Sequence, residues 1–229
     1  MIFKEPSILN EVTSIENKIK YITIKVPLKQ MGGISIRQYA AEKGKPDFIH
    51  ITANGRPVIP GTSFAGAIRH RIENILDSLN VQNVEDILDK MFGYVNAKRV
   101  DNKAERSKVI INECILEGAK PITMTRNGIS RFESGSKVGA LFKEITYVNG
   151  NTILEIKVEN IKDTEAFIGF LILALKDLEV GYLAVGGQTA IGRGIFQKNG
   201  ELSVYGIDYS EDRCLKNAFA MLELKGESR

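Results

Sequence analysis

The chain has 229 residues, 43% hydrophobic and 26% charged, a balance that can bury a core and argues against intrinsic disorder. Its formal net charge of +3 decides nothing about nucleic acid, but Lys and Arg outnumber Asp and Glu over residues 93–142 and are outnumbered over 200–229. Cys114 and Cys214 lie far apart with no Cys/His spacing beside them, which argues against a zinc site and a disulfide framework. The mixed, polar start and the Gly169-interrupted apolar run over 167–175 argue against a leader and a membrane span, so a soluble, cytoplasmic protein is expected.

Residues 1–20 form a lead-in without a defined period. Ile22, Ile24, Val26 and Leu28 then alternate with Thr23 and Lys25, which predicts a half-buried strand over 21–28. Residues 30–46 carry Gly32, Gly33 and Gly44 among several charges and read as a long loop. A short strand over 48–52 is expected to end at the Asn54-Gly55 turn. Pro60-Gly61-Thr62-Ser63 opens the clearest helix, with Thr62 or Ser63 as its expected cap and Phe64, Ile68, Ile72, Leu76 and Leu79 at helical spacing. A second helix is expected over 84–91, capped by Asn83 and stopped near Gly93. Residues 95–108 read as a mobile loop, 109–116 as a strand, and 119–138 show no period. The Asn149-Gly150 turn between 141–148 and 152–158 predicts a hairpin. Thr164 is expected to cap an apolar helix ending before Gly181, followed by a glycine-rich loop and strands at 195–196 and 202–207. This order is compatible with an α+β class and a ferredoxin-like β-α-β-β-α-β core, in a single domain over 1–229 with a large insertion between its halves.

Two stretches carry chemistry. Gly186-Gly187-Gln188-Thr189-Ala190-Ile191-Gly192-Arg193-Gly194 could bring backbone N–H groups and the Arg193 charge against a phosphate backbone. It lacks the Gly-Lys-Ser/Thr of a Walker A loop, and a strand rather than a helix follows it, so it is no dinucleotide fingerprint. The plainer alternative is a turn packed tightly against a helix. At Pro60-Gly61-Thr62-Ser63-Phe64-Ala65-Gly66-Ala67-Ile68-Arg69, a helix N-terminus with small residues in its first turn forms an anion site. Arg69 is better placed than Arg71 for a phosphate; the alternative is a capped core helix with surface arginines.

Together the two stretches resemble the paired motifs of the RAMP (repeat-associated mysterious protein) superfamily. Arg126-Asn127-Gly128-Ile129-Ser130-Arg131-Phe132 followed by Gly139-Ala140-Leu141-Phe142-Lys143-Glu144 is similar to that family's central segment, and the likeness runs from about residue 47 to 196. The resemblance implies a ferredoxin-like core with a thumb-like insertion at about 95–143. It implies a guide-RNA-binding backbone subunit of a type III CRISPR effector, stacked with copies of itself and other effector subunits, that kinks the target RNA duplex. The RNA contacts it implies are Thr62, Ser63, Arg69, Arg126, Arg131, Gly186, Gly187, Gly192, Arg193 and Gly194.

Members that cut target RNA carry an aspartate shortly before the Pro-Gly motif, and Asp47 matches that place, without the double glycine usually beside it. The resemblance therefore implies a metal-dependent endoribonuclease with Asp47 as catalytic residue and as ligand to Mg²⁺ or another divalent cation. Three alternatives stand beside it. The chain could be a non-catalytic RNA-binding subunit with Asp47 capping a turn. It could process guide RNA through His50 or His70, although both fall in predicted regular elements. It could also bind a nucleotide or small anion outside RNA biology.

Overall fold

The computed structural model describes residues 20–39, 46–95, 104–132 and 134–225. The lead-in read over 1–19, and residues 40–45 and 96–103 of the two expected loops, lie outside the described residues. In chain order the strands are β1 (Tyr21–Met31), β2 (Gly33–Ile34), β3 (Arg37–Tyr39), β4 (Phe48–His50), β5 (Thr52–Ala53), β6 (Arg56–Ile59), β7 (Tyr94–Val95) and β8 (Ala104–Glu105). They continue as β9 (Val109–Ile111), β10 (Cys114–Ile115), β11 (Lys120–Ile129), β12 (Ser136–Val148), β13 (Asn151–Glu159), β14 (Ile195–Lys198) and β15 (Ser203–Tyr205). The helices are α1 (Gly61–Ser78), α2 (Val84–Phe92), α3 (Thr164–Glu179) and α4 (Glu211–Ala220).

The central sheet has the order β14-β1-β13-β9, every neighbour antiparallel, with β15 also paired to β1. Taking α1 between β1 and β9, and α3 between β13 and β14, this is the ferredoxin-like β-α-β-β-α-β arrangement expected from the sequence. The alternation of β1 survives in full: Ile22, Ile24, Val26 and Leu28 are buried, while Thr23 and Lys25 between them are half-exposed. Leu154, Ile156 and Val158 of β13 join them against Phe64, Ile68, Ile72 and Leu76 of α1. Each such side chain contributes about 1.5–3 kcal/mol by leaving water. Helix α3 is buried around most of its girth because α4 covers its far side. Gly169 permits that approach, since a Cβ there would lie 2.3 Å from the carbonyl oxygen of Cys214.

A second sheet, β11-β12-β4-β3 with β2 also on β12, stands beside the first. Here the structure corrects the sequence reading. Residues 141–148 and 152–158 do not form a hairpin: β12 pairs with β11, β4 and β2, whereas β13 pairs with β1 and β9. Asn149 does take the left-handed conformation that an Asn-Gly turn requires (φ +61°), but it turns the chain from one sheet to the other. Buried Gln30 holds that corner. Its backbone N–H donates to the Gly150 carbonyl at 2.8 Å, its side-chain oxygen accepts from the Gly150 N–H at 3.0 Å, and its amide donates to the Tyr147 carbonyl at 2.7 Å. The true hairpin is β11–β12, in the stretch where no period was legible.

The expected loop over 30–46 contains the end of β1, then β2 and β3. Gly32 (φ +75°) turns the chain out of the central sheet so that Gly33–Ile34 can pair with β12. The Asn54-Gly55 turn joins β5 to β6 as anticipated. Neither Thr62 nor Ser63 caps α1; Pro60 occupies the cap position with no side-chain cap bond, and the Ser63 N–H donates to the Pro60 carbonyl at 2.9 Å. Gly61 is required by packing, because a Cβ there would fall 1.9 Å from the Ile111 carbonyl oxygen. Asn83 sits at the cap position of α2, but its side chain ties down the carbonyl of Met221 and the N–H of Glu223. Thr164 is the first residue of α3 rather than its cap, and its buried hydroxyl accepts from the Ile161 N–H at 2.7 Å. Helix α4 was not anticipated; Ser210 begins it, accepting from the Arg213 N–H.

Candidate nucleic-acid interface

Strand β12 brings the candidate residues together. In register with it, β4 places Phe48 beside Glu144, and β11 places Met124 opposite Glu144 and Arg126 opposite Phe142. Glu144 is fully buried. Its Oε1 accepts from Ser35 Oγ at 2.7 Å, from Arg193 Nη1 at 2.8 Å and from Arg37 Nε at 3.2 Å. Arg126 Nε approaches Oε2 at 3.6 Å, within reach of its charge but beyond a hydrogen bond, and Oε2 has no hydrogen-bond partner among the described residues. Burial pushes the Glu144 carboxyl up, but the Ser35 hydroxyl and the Arg193 and Arg37 charges outweigh it and hold the group below the usual carboxylate range.

Arg193 is therefore an interior residue, 4% exposed, with its second guanidinium nitrogen against Met124 Sδ. Burial lowers its pKa, opposed by Glu144 and reinforced by repulsion from Arg126 and Arg37. The expectation that Arg193 reaches a phosphate does not fit this position, since a guanidinium enclosed on Glu144 cannot also face solvent. The glycine loop around it is likewise turned inward. The N–H groups of Gly187, Gly192 and Gly194 donate to the carbonyls of Ser35, Thr189 and Gly33 at 2.8–2.9 Å. Gly186 (φ +96°) packs against Ile36 and Ser35. The loop is a tightly packed turn, but against the segment 33–36 and Val185 rather than a helix, and its donors at these three positions are not offered to a ligand.

Asp47 precedes β4 and is exposed; its Oδ2 accepts from the Lys143 N–H at 2.7 Å. It thus lies on the β12 edge, next to the Glu144 cluster along the strand. Thr62 is exposed, Ser63 is half-exposed, and Arg69 pairs with Asp89 of α2 at 3.7 Å, so the α1 end forms a separate surface from that cluster. Arg71 pairs with Asp177 of α3 at 2.7 Å.

Arg131 is exposed near the tip of the β11–β12 ribbon. There Phe132 is fully exposed and Ile129 is 75% exposed. Arg37, Ser35, Phe48 and Glu144 were not singled out as site residues from the sequence. Glu144 closed the central motif, and its position within a strand, two residues after Phe142 on the same face, was the available signal for a buried charge.

His50 is a structural residue. Fully enclosed, it accepts from the Ile36 N–H through Nδ1 at 3.1 Å and donates from Nε2 to the Val58 carbonyl at 3.0 Å. Burial lowers its pKa, partly offset by the Val58 hydrogen bond, and so favours the neutral ring. His70 is exposed on α1 beside Glu73. Both cysteines are buried free thiols.

No group of three His, Cys, Asp or Glu side chains converges among the described residues. A divalent cation at Asp47 would have one protein carboxylate and would complete its shell with water and phosphate oxygens, a donor set that suits Mg²⁺. No helix among the described residues is long and apolar enough to cross a membrane.

A ferredoxin-like core carrying a projecting ribbon and a clasped glycine loop defines the class. Residues 43–197 match the RAMP superfamily, and the chain belongs to that family. In fold it resembles a chain of a Type III-B Cmr-beta complex solved bound to cognate target RNA (TM-score 0.57, 15% identity, 86% of this chain and 64% of that one). It also resembles a chain of Type III-B Cmr-beta in the apo state (TM-score 0.57, 13% identity, 80% of this chain and 97% of that one). It spans somewhat less than two thirds of the first of these chains. No curated protein matches it in sequence.

Proposed function

We propose that this chain is a guide-RNA-binding backbone subunit of a type III CRISPR ribonucleoprotein effector, and that it cleaves guide-complementary target RNA through Asp47 with a divalent metal. The observation that carries the RNA-binding part is the β11–β12 ribbon, with residues 120–125 exposed in an unbroken run and Phe132 bare at its tip. Exposed Ile129 and Leu141 share the ribbon with Phe132, and a grouping of exposed apolar side chains supports reading the ring as part of a binding surface. Beside arginines it suits wedging against nucleobases. In this reading the ribbon is the thumb, and the partners are guide RNA, target RNA, neighbouring effector subunits and further copies of the chain.

For cleavage, Asp47 is held in one orientation by the Lys143 N–H and leaves its other oxygen for chemistry. It would accept the proton of a ribose 2′-OH attacking the adjacent phosphate, forming the O2′–P bond as the P–O5′ bond breaks. A bound Mg²⁺ would neutralise charge on the phosphate oxygens.

One observation favours a non-catalytic subunit instead: the Asp47 carboxylate already serves the sheet, and among the described residues no group of three His, Cys, Asp or Glu side chains gathers around it. Cleavage of labelled complementary RNA by the assembled effector with Mg²⁺ separates the two. Asp47→Asn, which keeps an acceptor for Lys143, should lower the rate by about 10²–10⁴-fold while leaving RNA affinity unchanged. Cutting at wild-type rate by that variant overturns the assignment of Asp47, and no cutting by the wild-type assembly supports the non-catalytic reading.

A further inference from the structure

Three guanidinium groups, from Arg37, Arg126 and Arg193, surround the single carboxylate of Glu144. The cluster therefore carries two positive charges in excess. Arg193 is fully engaged inside, whereas Arg37 and Arg126 are each about 30% exposed. Neither terminal nitrogen of Arg37 or Arg126 has a hydrogen-bond partner among the described residues, because each arginine meets Glu144 through Nε.

Arg37 is held in place all the same. The Arg37 guanidinium lies over the Phe48 ring, 4.5 Å from its centroid, and Phe48 meets Phe142 edge-on at 5.9 Å. Phe142 is in turn the cross-strand partner of Arg126. Two arginines thus flank an aromatic pair, both turned to Glu144 through Nε, Arg37 by a hydrogen bond and Arg126 by charge alone, with their donor forks unused. Like charges held together at a half-buried site call for an anion, and paired planar forks suit tetrahedral oxygens. Oε2 of Glu144, buried and without a hydrogen-bond partner, leaves Arg126 drawn inward but not locked, able to close on a ligand.

Resting on the proposed RNA-binding role, we infer that Arg37 and Arg126 form a seat for one RNA phosphodiester, with Glu144 as the buried positioning residue that aims both guanidinium groups. None of this involves the glycine loop as a phosphate cradle; the loop's part is to deliver Arg193, which fixes Glu144.

The test is the salt dependence of guide-RNA affinity in the assembled effector, comparing wild type with the Arg37→Gln/Arg126→Gln double variant. Loss of one phosphate contact should make the slope of log K against log salt shallower by about 0.7 and weaken binding about tenfold near 0.1 M salt. Lys176→Gln, which touches only the α3–α4 surface, should change neither.

Should the double Gln variant misfold, Arg37→Lys/Arg126→Lys keeps both charges; it should bind more weakly with an unaltered slope, because the fork geometry is lost. Wild-type slope and affinity in whichever of these variants folds would overturn the seat while leaving RNA binding intact. No RNA binding by the wild-type assembly would remove the functional reading and the seat with it. Inorganic phosphate raising the melting temperature of wild type but not of the variant, with RNA affinity unchanged, would mark a small-anion site and equally overturn it.

Discussion

Glu144→Ala should destabilise the protein by about 3–5 kcal/mol, the usual cost of removing one partner from a buried ion pair. The carboxylate is fully buried and Arg193 is 4% exposed, so deletion strands a guanidinium charge that water cannot reach. Two further arginines lose the one anion they are paired with among the described residues, and the Ser35 hydroxyl loses its acceptor. Glu144→Gln preserves the shape but not the charge and should cost nearly as much. A shift of the urea midpoint at constant m-value measures both.

The pH dependence has a definite sign. Because the folded state holds this carboxyl below its ordinary value, its contribution is complete above about pH 4.5. It fades as pH falls from there through the lower folded-state value. Wild type should therefore lose stability on acidification below about pH 4.5, whereas Glu144→Gln should lose less over the same interval.

Gly194→Ala should be nearly as damaging, at about 3–5 kcal/mol, while Gly192→Ala two residues earlier should cost only about 1–2 kcal/mol. Both glycines have positive φ, +73° and +83°, so both substitutions carry the conformational penalty. Only at Gly194 would the new Cβ meet backbone, 1.9 Å from the Val185 carbonyl oxygen; at Gly192 it would meet nothing within 4 Å. Relief at Gly194 would have to break the Val185 N–H to Gly194 carbonyl bond (2.8 Å) or the Gly194 N–H to Gly33 carbonyl bond (2.9 Å). Either break pulls adjacent Arg193 off Glu144, so this variant should also blunt RNA binding. Thermal melting of the two glycine variants side by side checks the contrast.

The central sheet and its helices were legible because their side chains follow one rule each. β1 alternates, α1 repeats at helical spacing, and burial in the folded protein honours both patterns except at Leu79, which follows the helix and is exposed. The second sheet was not legible for the converse reason. Residues 120–125 of β11 are all exposed, so no hydrophobic alternation marks the strand, and its pairing with β12 supplies what the side chains do not. Asn149-Gly150 misled because a left-handed residue serves a corner between sheets as well as a tight hairpin, and only Gln30, remote in sequence, tells them apart.

At the site, the glycine-loop residues singled out from the sequence are turned inward in the fold. Glycines chosen for closeness to a ligand are close to Ser35, Ile36 and Val185 instead. Arg193, the charge nearest them in sequence, faces Glu144 across 49 residues of chain, a pairing no local pattern encodes. Arg37 was hidden in a stretch read as loop, although it is one of the two partly exposed arginines on Glu144.

The most direct test of the RNA-binding role is photo-crosslinking of guide RNA within the assembled effector, followed by mapping of the crosslinked peptides. Crosslinks should concentrate on β3–β4, around Arg37 and Phe48, and on the β11–β12 ribbon from Arg126 to Phe132. Crosslinks confined to the α3–α4 surface, or an assembly that contains this chain without touching RNA, would contradict it.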